Sequence, residues 1–422
     1  MSTPLLDAPS GDTGFRVGIG LQDTGWHPGS WFRIPNGHEV FTSRYWAELA
    51  LIAEAGQLDF ITFEDSLGLQ RKGQLDASLV ASWLGARTDS IGLIPTLSTT
   101  HTEPFHLSKN IATLDHISAG RAGWQVEVSR TAAESRLFGC GRLPADLLPE
   151  DSEPWLAELY AESEEAVDVV RRLWDSWEDE AEIRDSATGR FIDRQKLHYI
   201  DYQGDRFSVK GPSITPRPPQ GQPVVAYQGQ SEPAIKAAAT SASVLFVQPE
   251  SADVGYALLR RVRETEHVFG RTGQPLKIYA DLTVLVDEDG DAAQTRWDSL
   301  SNAAGENWDP PGDAVVGSAA EAADVVVAYR DLGFDGVRLK PAEHSTDVGT
   351  AAGLLVPELI SRGIFAPDAE NRPLRRRLGL GDAPNRYTRL NRSEAGVGTE
   401  SPEAVQGQRI RRASPVLSGG HG

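Results

Sequence analysis

Eight short apolar runs alternate with longer segments whose apolar residues recur at helical spacing, and this alternation limits the possible folds more than any other feature. The runs lie at 15–21, 60–64, 91–97, 123–128, 223–228, 244–248, 278–286 and 336–339. The helical segments lie at 45–55, 78–87, 107–117, 156–177, 233–240, 254–269 and 319–332, with a last one at 351–361. A regular strand–helix repeat predicts a parallel sheet with helices outside it, and eight units predict closure into a (β/α)8 TIM barrel. A doubly wound open sheet is the alternative that the same α/β pattern allows.

Two stretches break the rhythm. Residues 178–221 are charged and then rich in Pro and Gly, while 296–315 hold Trp297, Trp308, Pro310 and Pro311 without clear periodicity. Both read as insertions, either covering a site or running over the surface. The expected organisation is a flexible start at 1–14, one barrel domain over 15–387, and a polar, Gly/Ser-rich, disordered tail over 388–422.

Composition narrows the function. A formal charge of −19 disfavours nucleic acid and anionic membrane as partners. No run approaches the ~20 apolar residues that span a bilayer, and the first 14 residues lack the basic start and apolar run of a signal peptide. A single cysteine, Cys140, excludes an internal disulfide and fits a reducing compartment, so a cytoplasmic protein is expected. Cys140 lies in a Phe-Gly-Cys-Gly turn and reads as structural. The nine His are scattered without metal-ligand spacing, so no metal site is expected, and no Gly-x-Ser-x-Gly elbow, dinucleotide fingerprint or Walker loop is present.

In a parallel barrel the working groups collect at the C-terminal strand ends. There the sequence puts Gln22 and Asp23, Glu64 and Asp65, Ser98 to Thr100, Gln125, Glu127 and Ser129, Gln228 with Gly229, and Lys340. This rim has many hydrogen-bonding groups and few strong acids or bases, which suits a large polar heteroaromatic. Gly229-Gln230-Ser231 follows the fifth strand and opens a helix, so it reads either as a phosphate cradle or as a plain N-cap at Ser231. Trp26, His27, Trp31 and Trp124 read as pocket walls or as packing. Glu127 reads as a site acid or as an outward-facing one, and His27 and His101 are the remaining acid–base candidates.

Several segments resemble one known family. Ala112-Thr-Leu-Asp-His-Ile-Ser-Ala-Gly-Arg-Ala-Gly-Trp124 is similar to a run of the bacterial luciferase-like flavin monooxygenases. The branch it resembles holds nitrilotriacetate monooxygenase, dibenzothiophene-sulfone monooxygenase and pristinamycin synthase. Arg171-Arg-Leu-Trp-Asp-Ser-Trp-Glu178, Lys210-Gly-Pro, Pro218-Pro-Gln-Gly-Gln-Pro223, Val356-Pro-Glu-Leu359, Leu374-Arg-Arg-Arg-Leu-Gly379 and Asn385-Arg-Tyr387 match that branch in order.

The resemblance implies a barrel, dimeric or tetrameric, that takes FMN as FMNH2 from a separate NAD(P)H:flavin reductase. It would use molecular oxygen to oxygenate a small organic substrate. It assigns cofactor contacts to Asp65, Thr99, Thr100, Gln125, Ser129, Tyr160, Gly229, Gln230 and Ser231. Three departures stand out: Leu156 where the branch often has His, Glu127 with Val128 in place of more usual residues, and Gln230 in place of Ser. An F420-dependent oxidoreductase on the same barrel, and a flavin-binding homologue without turnover, are the rival readings.

Overall fold

In a computed structural model, residues 14–34, 37–68, 73–138, 152–368 and 370–388 are described. Eight parallel strands form the core: β1 Arg16–Leu21, β2 Phe60–Phe63, β3 Gly92–Ser98, β4 Gly123–Glu127, β5 Val224–Gln228, β6 Val244–Val247, β7 Lys277–Asp287 and β8 Gly336–Pro341. Each pairs with the next, and β8 pairs back onto β1 through Arg16↔Gly336 and Ile19↔Leu339, so the sheet is a closed barrel. Closure excludes the open doubly wound sheet. The strands are buried on both faces, which is why they read as continuous apolar runs without alternation.

The connecting helices are α1 Ser43–Ala55, α2 Ala77–Gly85, α3 Pro104–Ile117, α4 Glu153–Asp175, α5 Glu232–Ser241, α6 Ala252–Val268, α7 Gly290–Ala304, α8 Ala319–Leu332 and α9 His344–Thr350. The last continues through a π-helical turn, Ala351–Leu355, into Val356–Ser361, and so begins earlier than its periodicity predicts.

The stretch at 296–315 is more regular than its sequence suggests. It contains the end of α7 and the start of a ninth strand, Ala314–Ser318, which pairs in parallel with the distal half of β7. The Asp289 side chain caps α7 on the Ala292 amide (2.8 Å), and Gly305 ends it at φ 74. Only Ala293, Leu300 and Ser301 are buried along it, too thin a stripe to register as a period. Within 178–221 the chain forms two small antiparallel hairpins, Glu182–Asp185 with Arg190–Ile192 and Tyr202–Gln203 with Ser208–Val209.

The base of the barrel is fastened by polar clamps. Arg121 donates to the carbonyls of Gly85, Thr88 and Ile91. Asp115 accepts from the Gln220 amide and side chain and from Ala122, and Arg377 reaches the carbonyls of Asp59 and Ser90. Leu374, Leu378 and Leu380 pack with Phe60, Ile94 and Tyr279 in the interior. Gly18 makes room there, since a Cβ on it would meet the Phe60 ring at 2.2 Å. Cys140 and residues 1–13 and 389–422 lie outside the described residues. The compact unit that holds the barrel ends at Asn385.

Candidate active site

The C-terminal strand ends open into a cleft of about 460 Å3. Gln22 and Trp26 enter it from the loop after β1; Glu64, Asp65, Ser66 and Gln74 follow β2; Glu127 ends β4 and Arg130 follows it. Leu156 and Tyr160 come from α4, residues Gln228 to Ser231 from the end of β5, and Phe246 and Gln248 from β6.

One end of the cleft is a turn into a helix. Gly229 has φ 140, a conformation that L side chains rarely adopt, and a Cβ there would lie 3.0 Å from Ala234 Cβ and 3.5 Å from the Tyr160 hydroxyl. Ser231 Oγ accepts from the Ala234 amide at 3.4 Å, so it is the N-cap of α5, and it also faces the cleft. Tyr160 stands at this end, and the exposed Arg130 lines the same cleft. Burial and the nearby Glu127 push the Tyr160 phenol up to about 12, so it remains a hydrogen-bond donor. Leu156, one turn before Tyr160 on α4, adds an apolar wall.

Glu127 sits at the tip of β4 with its carboxyl pushed up to about 8, chiefly by burial and with the Arg130 charge opposing. Asp65 is raised to about 6 by burial. Its two oxygens accept from Gln74 Nε2 (2.6 Å) and the Ala77 amide (2.8 Å), which pins the loop after β2 onto the start of α2.

The floor is a charged hub inside the barrel. Arg338 on β8 is fully buried and grips Asp281 on β7 with two bonds, 2.7 and 2.6 Å. It also donates to Thr62 (3.2 Å), to Glu64 (2.9 Å) and to Gln125 Oε1 (2.8 Å), and its guanidinium lies 4.1 Å over the Phe246 ring. Gln125 passes the network on through Nε2, to Glu64 (3.0 Å) and to Gln228 (3.2 Å). Lys340, equally buried, lies 3.8 Å over the Trp26 ring and 3.5 Å from Asp281, and burial lowers its pKa. Sequence reading missed Arg338 and Asp281. The available signal was charge at every second position inside an apolar strand: Arg338 and Lys340 share a face of β8.

The remaining expected residues fall elsewhere. Gln125 is beneath the floor. Thr99, Thr100 and Ser129 are buried behind the wall and tie the β3 tip to the chain after β4: Thr99 Oγ1 donates to the Glu127 carbonyl (3.3 Å), the Ser129 amide donates to Thr100 Oγ1 (2.9 Å), and Ser98 bonds Ser129 (2.9 Å). His27 does not line the cleft. It is buried edge-on against Trp297 and Trp308, with Nδ1 accepting from the Gly29 amide (2.9 Å), and burial lowers it to about 4. His101 stacks on Phe138 and is also absent from the lining. Trp124 is fully buried, Trp31 is exposed against Phe32, and of the four suggested wall residues Trp26 alone faces the cleft. Among the described residues, no group of three His, Cys, Asp or Glu could hold a metal ion.

A family model described as luciferase-like monooxygenase matches residues 28–336. Nitrilotriacetate monooxygenase component A of Aminobacter aminovorans is 34% identical over 306 residues, covering 68% of this chain and 65% of that protein. N-acetyl-S-(2-succino)cysteine monooxygenase of Bacillus subtilis (strain 168) is 34% identical over 296 residues, covering 68% and 64%. These matches span a little under two-thirds of the relatives' own lengths. Among solved structures, the long-chain alkane monooxygenase superposes with a TM-score of 0.77 at 24% identity, over 86% of this chain and 95% of the other. The same barrel, at a TM-score of 0.57 and 15% identity, is found in the coenzyme F420-dependent tetrahydromethanopterin reductase of Methanopyrus kandleri, over 82% of this chain and 99% of that one.

Proposed function

Because the chain belongs to the luciferase-like monooxygenase family, we propose that it is the oxygenase of a two-component, FMN-dependent monooxygenase acting in the cytoplasm on a small organic substrate. A separate NAD(P)H:flavin reductase would deliver the reduced FMN. The observation that carries this reading is the Gly229–Ser231 turn facing Tyr160, in a cleft that Arg130 also lines.

That turn fits a phosphate. A helix N-terminus offers amides to an anion, Gly229 leaves the space that a Cβ would fill, and a phenol and a guanidinium supply the donor and the charge. Bound reduced FMN would supply two electrons, so that one atom of O2 enters the substrate and the other leaves as water. The chain's own part is to bind, orient and exclude water. Gly229, Ser231, Tyr160 and Arg130 would hold the phosphate, while Trp26, Phe246 and Leu156 give apolar surface around the ring system. The hub beneath fixes Glu64 and Gln228 in the floor. Glu127, protonated near neutral pH, is the cleft group that can donate a proton from its carboxyl oxygen.

The test is anaerobic titration with FMNH2, with F420H2 in parallel, followed by an air pulse and a screen of substrates with a partner reductase. Tight FMNH2 binding that Gly229→Val abolishes is expected. Binding of F420H2 alone would move the protein to the dehydrogenase class, and binding of neither would overturn the reading.

A further inference from the structure

We propose that Lys340, pressed against the indole of Trp26 from behind the cleft wall, biases this cleft toward the electron-rich ring of reduced flavin and against the electron-poor oxidised ring. The inference rests on the FMN reading and deepens it.

Two aromatic side chains that line the cleft, Trp26 and Phe246, each carry a buried cation against the ring. Lys340 Nζ lies 3.8 Å from the Trp26 ring centroid, and the Arg338 guanidinium lies 4.1 Å from that of Phe246. Both cations are at most 1% exposed, so each stands behind the ring it touches. The indole is fixed in place. Its Nε1 donates to the Gly20 carbonyl (3.1 Å), and the Trp26 amide donates to the carbonyl of Pro341, the residue after Lys340.

Pairing with Asp281 does not account for the ammonium. Arg338 already gives Asp281 two bonds, 2.7 and 2.6 Å, while Lys340 reaches it only at 3.5 Å. Burial lowers the Lys340 pKa, and the charges of Asp281 and Glu64 oppose that. The closest group to the ammonium's charge that also meets the cleft is the indole. A cation on one face of an aromatic ring draws the π electrons toward itself. What remains for the cleft is a surface poorer in electrons, which pairs better with an electron-rich ring. Reduction adds two electrons to the flavin ring system, so its two redox states differ in just this property. Glu64, Asp65 and Glu127 also line the cleft and act in the opposite sense. They are the same in a Lys340 variant, so a comparison of variants isolates the ammonium.

The test measures the affinity of the full-length protein for oxidised FMN and, anaerobically, for FMNH2. It adds the two-electron midpoint potential of FMN at concentrations that saturate both forms, read by dithionite titration against an indicator dye. Lys340→Met keeps the length of the stem and leaves Asp281 its two bonds to Arg338; Lys340→Gln is a second neutral replacement. In both variants FMNH2 affinity should fall about 10-fold relative to that of oxidised FMN, the scale of a desolvated cation–π contact. The midpoint potential of bound FMN should fall with it by about 30 mV, the equivalent of tenfold for two electrons. A purely structural role for Lys340 would weaken both redox states alike and leave the potential where it was. An unaltered affinity ratio, equal weakening of both forms, or a raised potential would each overturn the inference and leave the FMN reading standing. Failure of the wild-type protein to bind FMN in either state would overturn both.

Discussion

Replacing Arg338 with Met tests whether the barrel interior is held by its charged hub. Met nearly matches the length of the Arg stem and can keep apolar contact with Phe246, so the change removes charge and donors more than volume. Asp281, fully buried, would lose both of its close bonds and keep only Lys340 at 3.5 Å. Removing one partner of a buried ion pair costs ~3–5 kcal/mol, because the remaining charge is stranded. Gln125 Oε1 and Glu64 also lose a donor each. We therefore expect Arg338→Met to lower unfolding free energy by about 4 kcal/mol and Tm by on the order of 5 °C. Arg338→Lys should recover only part of this, since an ammonium cannot reproduce the two-pronged grip. The assay is guanidinium unfolding followed by tryptophan fluorescence, run as a cycle with Asp281→Asn and the double variant. The double variant should cost less than the sum of the singles by about 2 kcal/mol or more. A single Arg338→Met cost below about 1 kcal/mol, with additive singles, would refute the hub as a structural element.

Three further outcomes follow from the cleft. Gly229→Val places a side chain at φ 140 and 3.0 Å from Ala234, so FMNH2 affinity in an anaerobic titration should fall at least ~10-fold, with a modest loss of Tm. The Glu127 carboxyl, faced by Arg130, Glu64, Glu134 and Tyr160, is raised to about 8. A raised acid pKa favours folding below the ordinary carboxylate range, and that contribution is lost as pH climbs through about 8. A series of Tm values against pH should therefore slope downward between about pH 5 and 8 in wild type and less steeply in Glu127→Gln; parallel curves would count against a protonated Glu127. His27, lowered to about 4 by burial between Trp297 and Trp308, is neutral at working pH. Replacing it with Ala should cost stability and leave the pH dependence of kcat unchanged between about pH 6 and 9.

Much of the barrel was legible because its strands obey one rule throughout. Val17 to Leu21, Phe60 to Phe63 and Val244 to Val247 are buried on both faces and so carry no polar alternation. Helix α7 escaped because its buried stripe is thin and its surroundings are tryptophans and prolines. The site was harder to read. Gly229, Ser231, Tyr160, Asp65 and Glu127 do share one cleft, but Thr99, Thr100 and Ser129 spend their hydroxyls on backbone groups and on Ser98. Whether a Thr at a strand tip faces a ligand or the neighbouring strand depends on a rotation that sequence does not encode. Arg338 is the same problem in reverse: its partners lie on β2, β4 and β7, and only barrel closure brings them together.

The segments that carry the family resemblance also explain why family was easier to read than substrate. Asp115, Arg121, Gln220 and Arg377 sit in those segments, and all are spent on hydrogen bonds at the N-terminal end of the barrel, opposite the cleft. They hold the scaffold, and a scaffold tolerates many chemistries at its other end. At that other end stands Leu156, where the family resemblance implies a His, and no His lines the cleft among the described residues. The groups there with protonation changes near neutrality are Asp65, at about 6, and Glu127, at about 8. Asp65 is tied into the α2 turn by two bonds, whereas Glu127 stands at the wall with Arg130 and Tyr160. On the proposed monooxygenase reading, proton handling in this cleft would fall to the carboxyl at the tip of β4, which stands beside the Gln228 amide.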